Sequence, residues 1–522
     1  MSGNIYNLFY SSFVASPTKV CLAFPNRKFT YRDIFEISSK LAVLIAKDQL
    51  PYIGILAHRT LSAYVGILAS LQCGKTYVPL NPKFPSRRIA QVVFAANIKT
   101  IVADNESLGI VKELQWQTDL TVLAPELDSD NLGNGKVSII GRREIGEKTI
   151  GHTMIEFPTN KAYLLFTSGS TGEPKGIEIG HQNIFDYLNY TQERLGIRSN
   201  DNCSQIFDLC FDLSGHDLFL TWMSGATLCI PERDLFNPIS FVGNNNLTVW
   251  FSVPSVGYYL AKNHFLSQGI FSGLRISLFC GEPLIAEFVK EWEIAAPNSK
   301  IENIYGPTEC TIGISSYLWE RNKCNKVRNG IVSIGKIFPK QKYLIVDEAD
   351  RPLGKNCEGE LLLSGSQVIS QYFATSPDLC DKFTIIGNND PDIYYRTGDI
   401  ILEDDEGDIY FVKRKDFEFK IRGYRVDEEE VNNAIRKITG IKNVISLPLN
   451  GEIGSPTCIV SFVASNESPD EFKLIAECRK LLPDYMVPNR IYVMSEFPLN
   501  TNGKINRAYF VDLLNASLPK DE

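Results

Sequence analysis

Short apolar runs alternate with longer amphipathic segments through most of the chain. The run YIGILA precedes RTLSAYVGILASLQCG, and GIEIG precedes HQNIFDYLNYTQERLG. The same order recurs where LTVWFSV precedes PSVGYYLAKNHF and where LRISLFCGE precedes PLIAEFVKEWEIA. Because a strand followed by a helix is the repeating unit of parallel sheets, this pattern predicts layered α/β structure.

The pattern changes after about Pro339, where short strand-like runs follow one another closely. The segments KYLIVDEADRPLG, EGELLLSG and DIILEDDEGDIYFVKRKD predict antiparallel strands with tight turns at Asp350 and Gly407. The last segment mixes helical DEEEVNNAIRKI and FKLIAECRKLL with strand-like KNVISLPL and TCIVSFVAS. We therefore predict an α/β protein with a large N-terminal domain of layered α/β subdomains, a β-rich subdomain and a small α+β C-terminal domain.

Composition and charge narrow the class of protein. The 522 residues are 44% hydrophobic and 22% charged, as in ordinary globular proteins. A net charge of −8 argues against nucleic-acid binding, which needs a basic face. The 12 cysteines include no C-x-x-C pair and are expected to be reduced. We find no signal peptide and no apolar run of about 18 residues, so we predict a cytoplasmic protein without membrane insertion.

A loop rich in small and hydroxylated residues follows a strand-like run in YLLFTSGSTGEPKG, Tyr163 to Gly176. Small residues let backbone N–H groups approach an anion, and hydroxyl groups add further donors, so this loop is a candidate phosphate cradle. It contains neither a Walker G-K-[ST] triplet nor a G-x-G-x-x-G fingerprint. From composition alone, a flexible turn between two strands is an equally good interpretation.

The loop LLFTSGSTGEPKG resembles the signature of the adenylate-forming superfamily, which contains amino-acid adenylation domains, acyl-CoA synthetases and luciferases. Further motifs similar to those of the family follow in the expected order over nearly the whole chain. They are FTYRDI, YVPLNPKFPSRRI, NIYGPTE, YRTGD, KIRGYRVDEEEV and PLNTNGKINR. The ordered set identifies the chain as a member of this superfamily.

The resemblance implies that the loop holds the triphosphate of ATP and that Mg²⁺ is required. The implied ATP-binding residues are Thr167, Ser168, Gly169, Ser170, Thr171, Gly172, Lys175, Gly281, Glu282, Pro283, Asn303, Ile304, Tyr305, Asp399 and Arg414. Within this set Asp399 takes the ribose hydroxyl groups and Tyr305 lies against the adenine. The implied catalytic residues are Lys504, Thr308 and Glu309, with Glu309 also the metal ligand. Taken singly, Asp399 could cap a turn, Tyr305 could be a core aromatic, and Lys504 could be a solvated charge.

The resemblance also implies a hinge between the two domains. In the family, a small mobile domain pivots between two half-reactions, and Asp416 occupies the pivot position. We therefore expect a large adenylation domain at 1–413, a hinge at 414–416 and a small mobile domain at 417–522. A loop position that absorbs a large backbone rotation is the usual kind of hinge.

The segment FDLCFDLSGHDLF bears on the substrate. Asp212 could simply cap a helix that begins near Ser214. In amino-acid-activating members of the family, the aspartate of FDxS instead binds the α-ammonium group. The resemblance then implies a pocket formed by Asp212, Leu213, His216, Ser252, Leu278, Cys280, Ile304, Ile312 and Lys504.

The segments LTVWFSVPS and ISLFCGEPL resemble the D-alanine–carrier-protein ligases, with Cys280 as the most specific match. His216 departs from those ligases, which usually have an apolar residue there, so a serine-like or acidic substrate is the alternative. The expected partner is a separate carrier protein with a phosphopantetheine thiol, because no carrier segment GGxS occurs in the chain. Two rivals remain: an acyl-CoA synthetase, against which Asp212 argues, and a catalytically silent nucleotide-binding module, against which Glu309, Asp399 and Lys504 argue.

Overall fold

A computed structural model describes most of the chain. The described residues are 3–114, 116, 119–128, 135–150, 159–167, 175–232, 237–373, 381–386, 392–450, 456–465, 469–499 and 505–517. Within them the chain divides into two compact units. The first comprises the described residues of 1–82, 89–166 and 176–415, and the second those of 83–88, 167–175 and 416–522.

Helices and strands alternate along the chain as the apolar pattern predicts. The helices are α1 Tyr6–Ala15, α2 Tyr31–Ile45, α3 Leu61–Gln72, α4 Ser86–Ala95, α5 Leu108–Glu113, α6 Arg142–Gly146, α7 His181–Leu195, α8 Leu213–Met223, α9 Pro238–Asn244, α10 Pro254–Lys262, α11 Ala286–Ala295, α12 Glu428–Thr439, α13 Glu471–Leu481 and α14 Arg507–Ser517.

The strands of the sheets in the first half are β1 Val20–Ala23, β2 Lys28–Thr30, β3 Tyr52–Leu56, β4 Thr76–Leu80, β5 Thr100–Ala103, β6 Leu120–Ala124, β7 Val137–Gly141, β8 Lys161–Thr167, β9 Lys175–Gly180, β10 Asn202–Ser204, β11 Thr227–Cys229, β12 Val249–Ser252, β13 Ile276–Cys280 and β14 Lys300–Tyr305. The later strands are β15 Ser315–Trp319, β16 Val327–Arg328, β17 Ile331–Val332, β18 Lys336–Ile337, β19 Gln341–Val346, β20 Glu358–Gly365, β21 Phe383–Ile385, β22 Ile393–Glu403, β23 Ile409–Arg414, β24 Glu418–Ile421, β25 Tyr424–Asp427, β26 Val444–Asn450, β27 Pro456–Ala464 and β28 Arg490–Met494.

Two large sheets contain the strands β1 to β14, together with β15 and β18. One has the order β18-β15-β14-β13-β12-β10-β11-β1-β2, and the other has the order β7-β6-β5-β3-β4-β8-β9. The central pairs β12–β13 and β13–β14 are parallel, as are β3–β4 and β3–β5. The predicted α/β class is therefore confirmed. Apolar side chains fill these layers, and α3 is buried from Leu61 to Leu71.

Antiparallel strands form the β-rich subdomain predicted after Pro339. The sheet has the order β19-β20-β22-β21, and β23 pairs with β22. Both predicted turns have left-handed backbone, with φ of 60° at Asp350 and 84° at Gly407. In the second unit, the sheet β26-β27-β28 has its own apolar core, which includes Phe462 and Phe510.

The boundary between the two units falls between Lys415 and Asp416, at the position predicted for the hinge. Whether the chain pivots there stays a prediction. None of the helices in the described ranges is long and apolar enough to cross a membrane.

Candidate active site

The parallel strands β12, β13 and β14 present a set of apolar side chains on one face of the nine-stranded sheet. Phe251 is in register with Leu278, and Cys280 is in register with Ile304. Since side chains alternate along a strand and neighbours in register share a face, these four lie on the same side. All of them are almost fully buried.

Ser252 lies on the opposite face of the sheet. It is in register with Phe279, and its hydroxyl group accepts a hydrogen bond of 2.9 Å from Trp250 Nε1. Trp250 and Phe279 both pack against Trp292 of α11. Ser252 therefore lies on the opposite face from the predicted pocket residues Leu278 and Cys280, whereas its neighbour Phe251 lies on their face, which makes Phe251 the better candidate for the pocket. The two-residue period of a strand, applied from Leu278 and Cys280 to β12, could have identified Phe251 from the sequence.

Helix α8 contributes Leu213 and His216, and Asp212 directly precedes it; all three are buried. Asp212 immediately precedes the first residue of α8, but in the described structure its carboxylate makes no capping hydrogen bond. The capping role considered for Asp212 is therefore not seen. Its charge is among the causes that raise the pKa of Tyr187 and of Cys310, after burial as the largest cause.

His216 is fixed from two sides. Its Nδ1 shares a hydrogen bond of 2.7 Å with the Tyr187 hydroxyl, and its ring lies 4.5 Å from the ring of Phe251. Burial, with a smaller effect of the Arg194 charge, lowers the pKa of His216 to about 3. The guanidinium of Arg194 forms an ion pair with Glu302, which is in register with Leu278. His216 is therefore a neutral, oriented imidazole at physiological pH.

The segment after β14 carries Glu309 and Ile312. Glu309 is 1% exposed, and its Oε1 accepts a hydrogen bond of 2.8 Å from the hydroxyl group of Tyr372. Ile312 is fully buried, and a Cβ added at Gly215 of α8 would lie 3.4 Å from Ile312 Cδ1. The predicted metal ligand Glu309 and the predicted pocket residue Ile312 therefore belong to one short segment.

Asp399 joins two of the residues predicted to bind the nucleotide. The hydroxyl group of Tyr305 donates to Asp399 Oδ2, and Arg414 Nη1 donates to Asp399 Oδ1 at 2.7 Å. Arg414 also donates to the carbonyl oxygen of Thr397 at 2.9 Å. Burial first, and then the nearby Asp399 charge, raises the pKa of Tyr305 well above its usual value. Three predicted residues thus form one hydrogen-bonded group.

The segment after β13 contains three residues that are predicted to bind ATP, Gly281, Glu282 and Pro283. Gly281 has a φ of 93°, which favours glycine. Glu282 Oε2 accepts from the Ser255 N–H at 2.8 Å, and the carbonyl oxygen of Pro283 accepts from the Tyr258 hydroxyl at 2.6 Å.

Some of the remaining predicted residues lie in other contacts or at the ends of strands, and the others are outside the described residues. Asn303 donates to the carbonyl oxygen of Ser333 at 3.0 Å. Thr308 begins a short 3₁₀ turn, while Thr167 ends β8 and Lys175 begins β9. The predictions for Ser168, Gly169, Ser170, Thr171, Gly172 and Lys504 lie outside the described residues.

Sequence reasoning missed three side chains that contact the predicted residues: Tyr187 beside His216, Tyr372 beside Glu309, and Phe251. Tyr372 lies 63 residues along the chain from Glu309. No local pattern signals such a contact, because it depends on how distant segments pack.

Comparisons with known proteins show the family to which this chain belongs. A model of the AMP-binding enzyme family matches residues 9–373. The D-alanine–D-alanyl carrier protein ligase of Lacticaseibacillus casei is 26% identical over 514 residues, covering 96% of this chain and 97% of the relative. Zwittermicin A synthase ZmaJ of Bacillus cereus is 28% identical over 523 residues, covering 97% and 94%.

The crystal structure of the Vibrio cholerae adenylation domain AlmE in complex with glycyl-adenosine-5'-phosphate aligns with a TM-score of 0.87. It is 26% identical and covers 98% of both chains. The family model matches well over half of the chain, and the motifs that predicted the superfamily extend beyond it. This chain therefore belongs to the AMP-binding enzymes of the adenylate-forming superfamily, and it is a ligase.

Proposed function

We propose that the protein activates a small amino acid with ATP and passes it to a carrier protein. An oxygen of the amino-acid carboxylate attacks the α-phosphorus, the bond to the bridging oxygen of the β-phosphate breaks, and pyrophosphate leaves. A phosphopantetheine thiol of the carrier then attacks the acyl carbon of the aminoacyl-AMP. AMP leaves with the bonding electrons, and the thiol proton passes to solvent.

The group formed by Tyr305, Asp399 and Arg414 supports nucleotide binding. A carboxylate accepts two O–H donors at once, so Asp399 suits the two ribose hydroxyl groups. The hydrogen bond from Arg414 holds the Asp399 carboxylate in place, which supports this role. We assign the triphosphate to the loop 167–172 with Lys175, and the charge that develops at the α-phosphate to Lys504, on the resemblance of their motifs.

Glu309 fits a magnesium ligand by its chemistry. Mg²⁺ prefers oxygen ligands and is usually bound by one or two carboxylates together with substrate phosphates. Glu309 Oε1 accepts from Tyr372, and a carboxylate can accept on both of its oxygens. The described residues contain no cluster of three ligands that could form an all-protein cage. Glu309, with Thr308 beside it, would hold the metal, which would supply positive charge at the phosphates.

The single observation that carries the amino-acid assignment is the buried carboxylate of Asp212 beside the pocket wall formed by α8 and Ile312. A buried carboxylate suits a cationic α-ammonium group, because the pair forms charge-assisted hydrogen bonds. A fatty acid has no such cation. This argues against the acyl-CoA synthetase interpretation.

D-alanine is our proposed substrate. Phe251 and the fixed ring of His216 reduce the space for a side chain. Cys280 occupies the face where the D-alanine ligases that the chain resembles carry a cysteine, and there its sulfur would crowd an L-methyl group. Glycine is the second candidate, since a pocket small enough for alanine would also accept it. In addition, the crystal structure of AlmE, which is 26% identical to this chain, contains glycyl-adenosine-5'-phosphate. The neutral state of His216 argues against an acidic side chain.

Pyrophosphate exchange over a panel of amino acids tests the proposal. The panel contains D-alanine, glycine, L-alanine, D- and L-serine, aspartate and a fatty acid. We expect D-alanine first, with glycine and small L-amino acids weaker. A misfit of one methyl group allows discrimination of only about 10–200-fold.

Two variants test the assigned roles in the same assay. Lys504→Ala should lower exchange by about 10²–10³-fold, because it removes a charge contact that develops in the transition state. Transfer from pre-made aminoacyl-AMP to a carrier should survive in this variant. Cys280→Ala should lower the ratio of D- to L-alanine. Leading exchange with serine or aspartate would overturn the substrate, and exchange with the fatty acid alone would overturn the amino-acid assignment.

A further inference from the structure

Two consecutive residues between Glu309 and β15 have left-handed backbone. The φ angles are 59° at Thr311 and 72° at Ile312. Both side chains are β-branched, and for such residues this region is a genuine outlier. A backbone of this kind persists only where surrounding contacts hold it.

Gln367 supplies such contacts on both sides of the turn. Its side chain is 1% exposed, and its Nε2 donates to the carbonyl oxygen of Gly313 at 2.8 Å and to that of Cys310 at 3.4 Å. In return, the Thr311 hydroxyl group donates to the carbonyl oxygen of Gln367 at 2.6 Å. One buried amide therefore joins the carbonyl groups that flank the strained pair.

The strained turn has little room to relax. A Cβ at Gly313 would lie 2.6 Å from Ile304 Cγ2, and a Cβ at Gly306 would lie 2.7 Å from the Cα of Gly313. These distances show how closely the turn packs on the end of β14, where Ile304 lines the proposed pocket. A shift of Gly313 would therefore move a pocket wall.

The turn also connects the two halves of the proposed site. Ile312 follows the strained Thr311 and packs towards α8, while Glu309 lies two residues before Thr311. The backbone N–H of Ile369 donates to the carbonyl oxygen of Glu309 at 3.0 Å, so the segment that carries Gln367 holds this end as well.

We propose that Gln367 is a positioning residue that holds Thr311 and Ile312 in their strained conformation and thereby sets the shape of the substrate pocket. This inference rests on the proposed function, since it concerns the same pocket. Gln367 does not touch the substrate; it acts through Ile312.

The test compares Gln367→Met with wild-type protein in pyrophosphate exchange. Methionine keeps the length and the packing of the side chain but lacks the amide donors. We expect the KM for the best amino acid of the panel to rise about tenfold, as for a lost buried hydrogen bond, with the KM for ATP within about twofold of wild type. Gln367→Asn is measured alongside, because it keeps an amide that is too short to reach the two carbonyl groups.

Gln192→Met is the matched control. In the wild-type protein, Gln192 Nε2 donates to the carbonyl oxygen of Ile197 at 2.8 Å, so the variant loses the same kind of bond at the C-terminal end of α7. We expect no change of either KM in this variant. Thr311→Gly in the Gln367→Met background should recover at least half of the lost affinity on the logarithmic scale, because glycine adopts positive φ without steric cost.

An unchanged amino-acid KM in Gln367→Met, in a wild-type protein that does exchange, would overturn this inference and leave the proposed function standing. The same is true of an equal rise in both KM values, or of no recovery in the double variant. A wild-type protein that exchanges with no amino acid would overturn both proposals.

Discussion

At the scale of one residue, strand alternation decides which face of the sheet Phe251 lies on, and the proposed function gives that face a role in specificity. It lies on the same face of the sheet as Leu278, the face of the proposed pocket, while Phe279 on the next strand lies on the opposite face, and both are buried. We expect Phe251→Ala to enlarge the pocket and to raise exchange with D-valine or D-leucine at least tenfold relative to D-alanine, within the range typical of methylene-sized misfits.

Phe279→Ala is the control for this change. Both substitutions remove the same buried volume, and each should lower the free energy of unfolding by about 3–5 kcal/mol. Only the change at Phe251 should alter the order of preferred amino acids. If both variants kept the wild-type order, Phe251 would not line the pocket.

His216 permits a prediction about pH at the same scale. Its pKa is lowered to about 3 in the folded protein, whereas an unfolded histidine titrates near 6.5. As the pH falls below about 6.5, the unfolded state takes up a proton that folded His216 does not, so stability is lost over the window from 6.5 to 3. Between pH 7.5 and 5.0 this amounts to about 2 kcal/mol.

His216→Gln should therefore lose less stability than wild type over that interval, as measured by denaturant unfolding at the two pH values. His264→Asn, at an exposed position, is the control and should behave as wild type. An identical pH dependence in wild type and His216→Gln would contradict the neutral state that we assign to this imidazole.

At the scale of elements, local patterns are sufficient for the helices and strands that the sequence analysis predicts. The run YIGILA became β3, and DEEEVNNAIRKI became α12, within one residue of its predicted start and end. Apolar period and helix-cap chemistry act over a few residues, and these signals are present in the chain itself. The contacts of Gln367 and Tyr372 were not predictable, since each bridges more than 50 residues and depends on tertiary packing.

The start of α12 carries a second pH-dependent group. Asp427 Oδ1 caps the helix by accepting from the Glu429 N–H at 3.0 Å. Burial, followed by the nearby Glu418 charge, raises the pKa of Asp427 to about 6. Because the folded pKa exceeds the unfolded value, stability falls as the pH rises from about 4 to 6 and stays lower above it.

Asp427→Asn keeps a capping oxygen without the charge. We expect it to raise the free energy of unfolding of the full chain by about 1–3 kcal/mol at pH 7.5, and by much less at pH 4.5. Asp470→Asn is the matched control, because Asp470 caps α13 at an exposed position by accepting from the Lys473 N–H. A gain of the same size at both pH values would contradict the assigned cause.

At the scale of the whole molecule, the chain passes from one compact unit to the other between Lys415 and Asp416. Asp416→Pro would fix φ near −65° at this point and so oppose a backbone rotation there. If the two half-reactions need different arrangements of the units, pyrophosphate exchange should remain within about threefold of wild type while loading of a carrier thiol falls at least tenfold.

Asp416→Ala separates the backbone restriction from the loss of the side chain. The Glu418 N–H donates to Asp416 Oδ1 at 3.3 Å, and both substitutions remove this bond, but only proline restricts φ. We therefore expect Asp416→Ala to exchange and to load as wild type does. Parallel loss of both half-reactions in Asp416→Pro, or equal loading by the two variants, would place the hinge elsewhere in the chain, because proline, unlike alanine, opposes a rotation at Asp416.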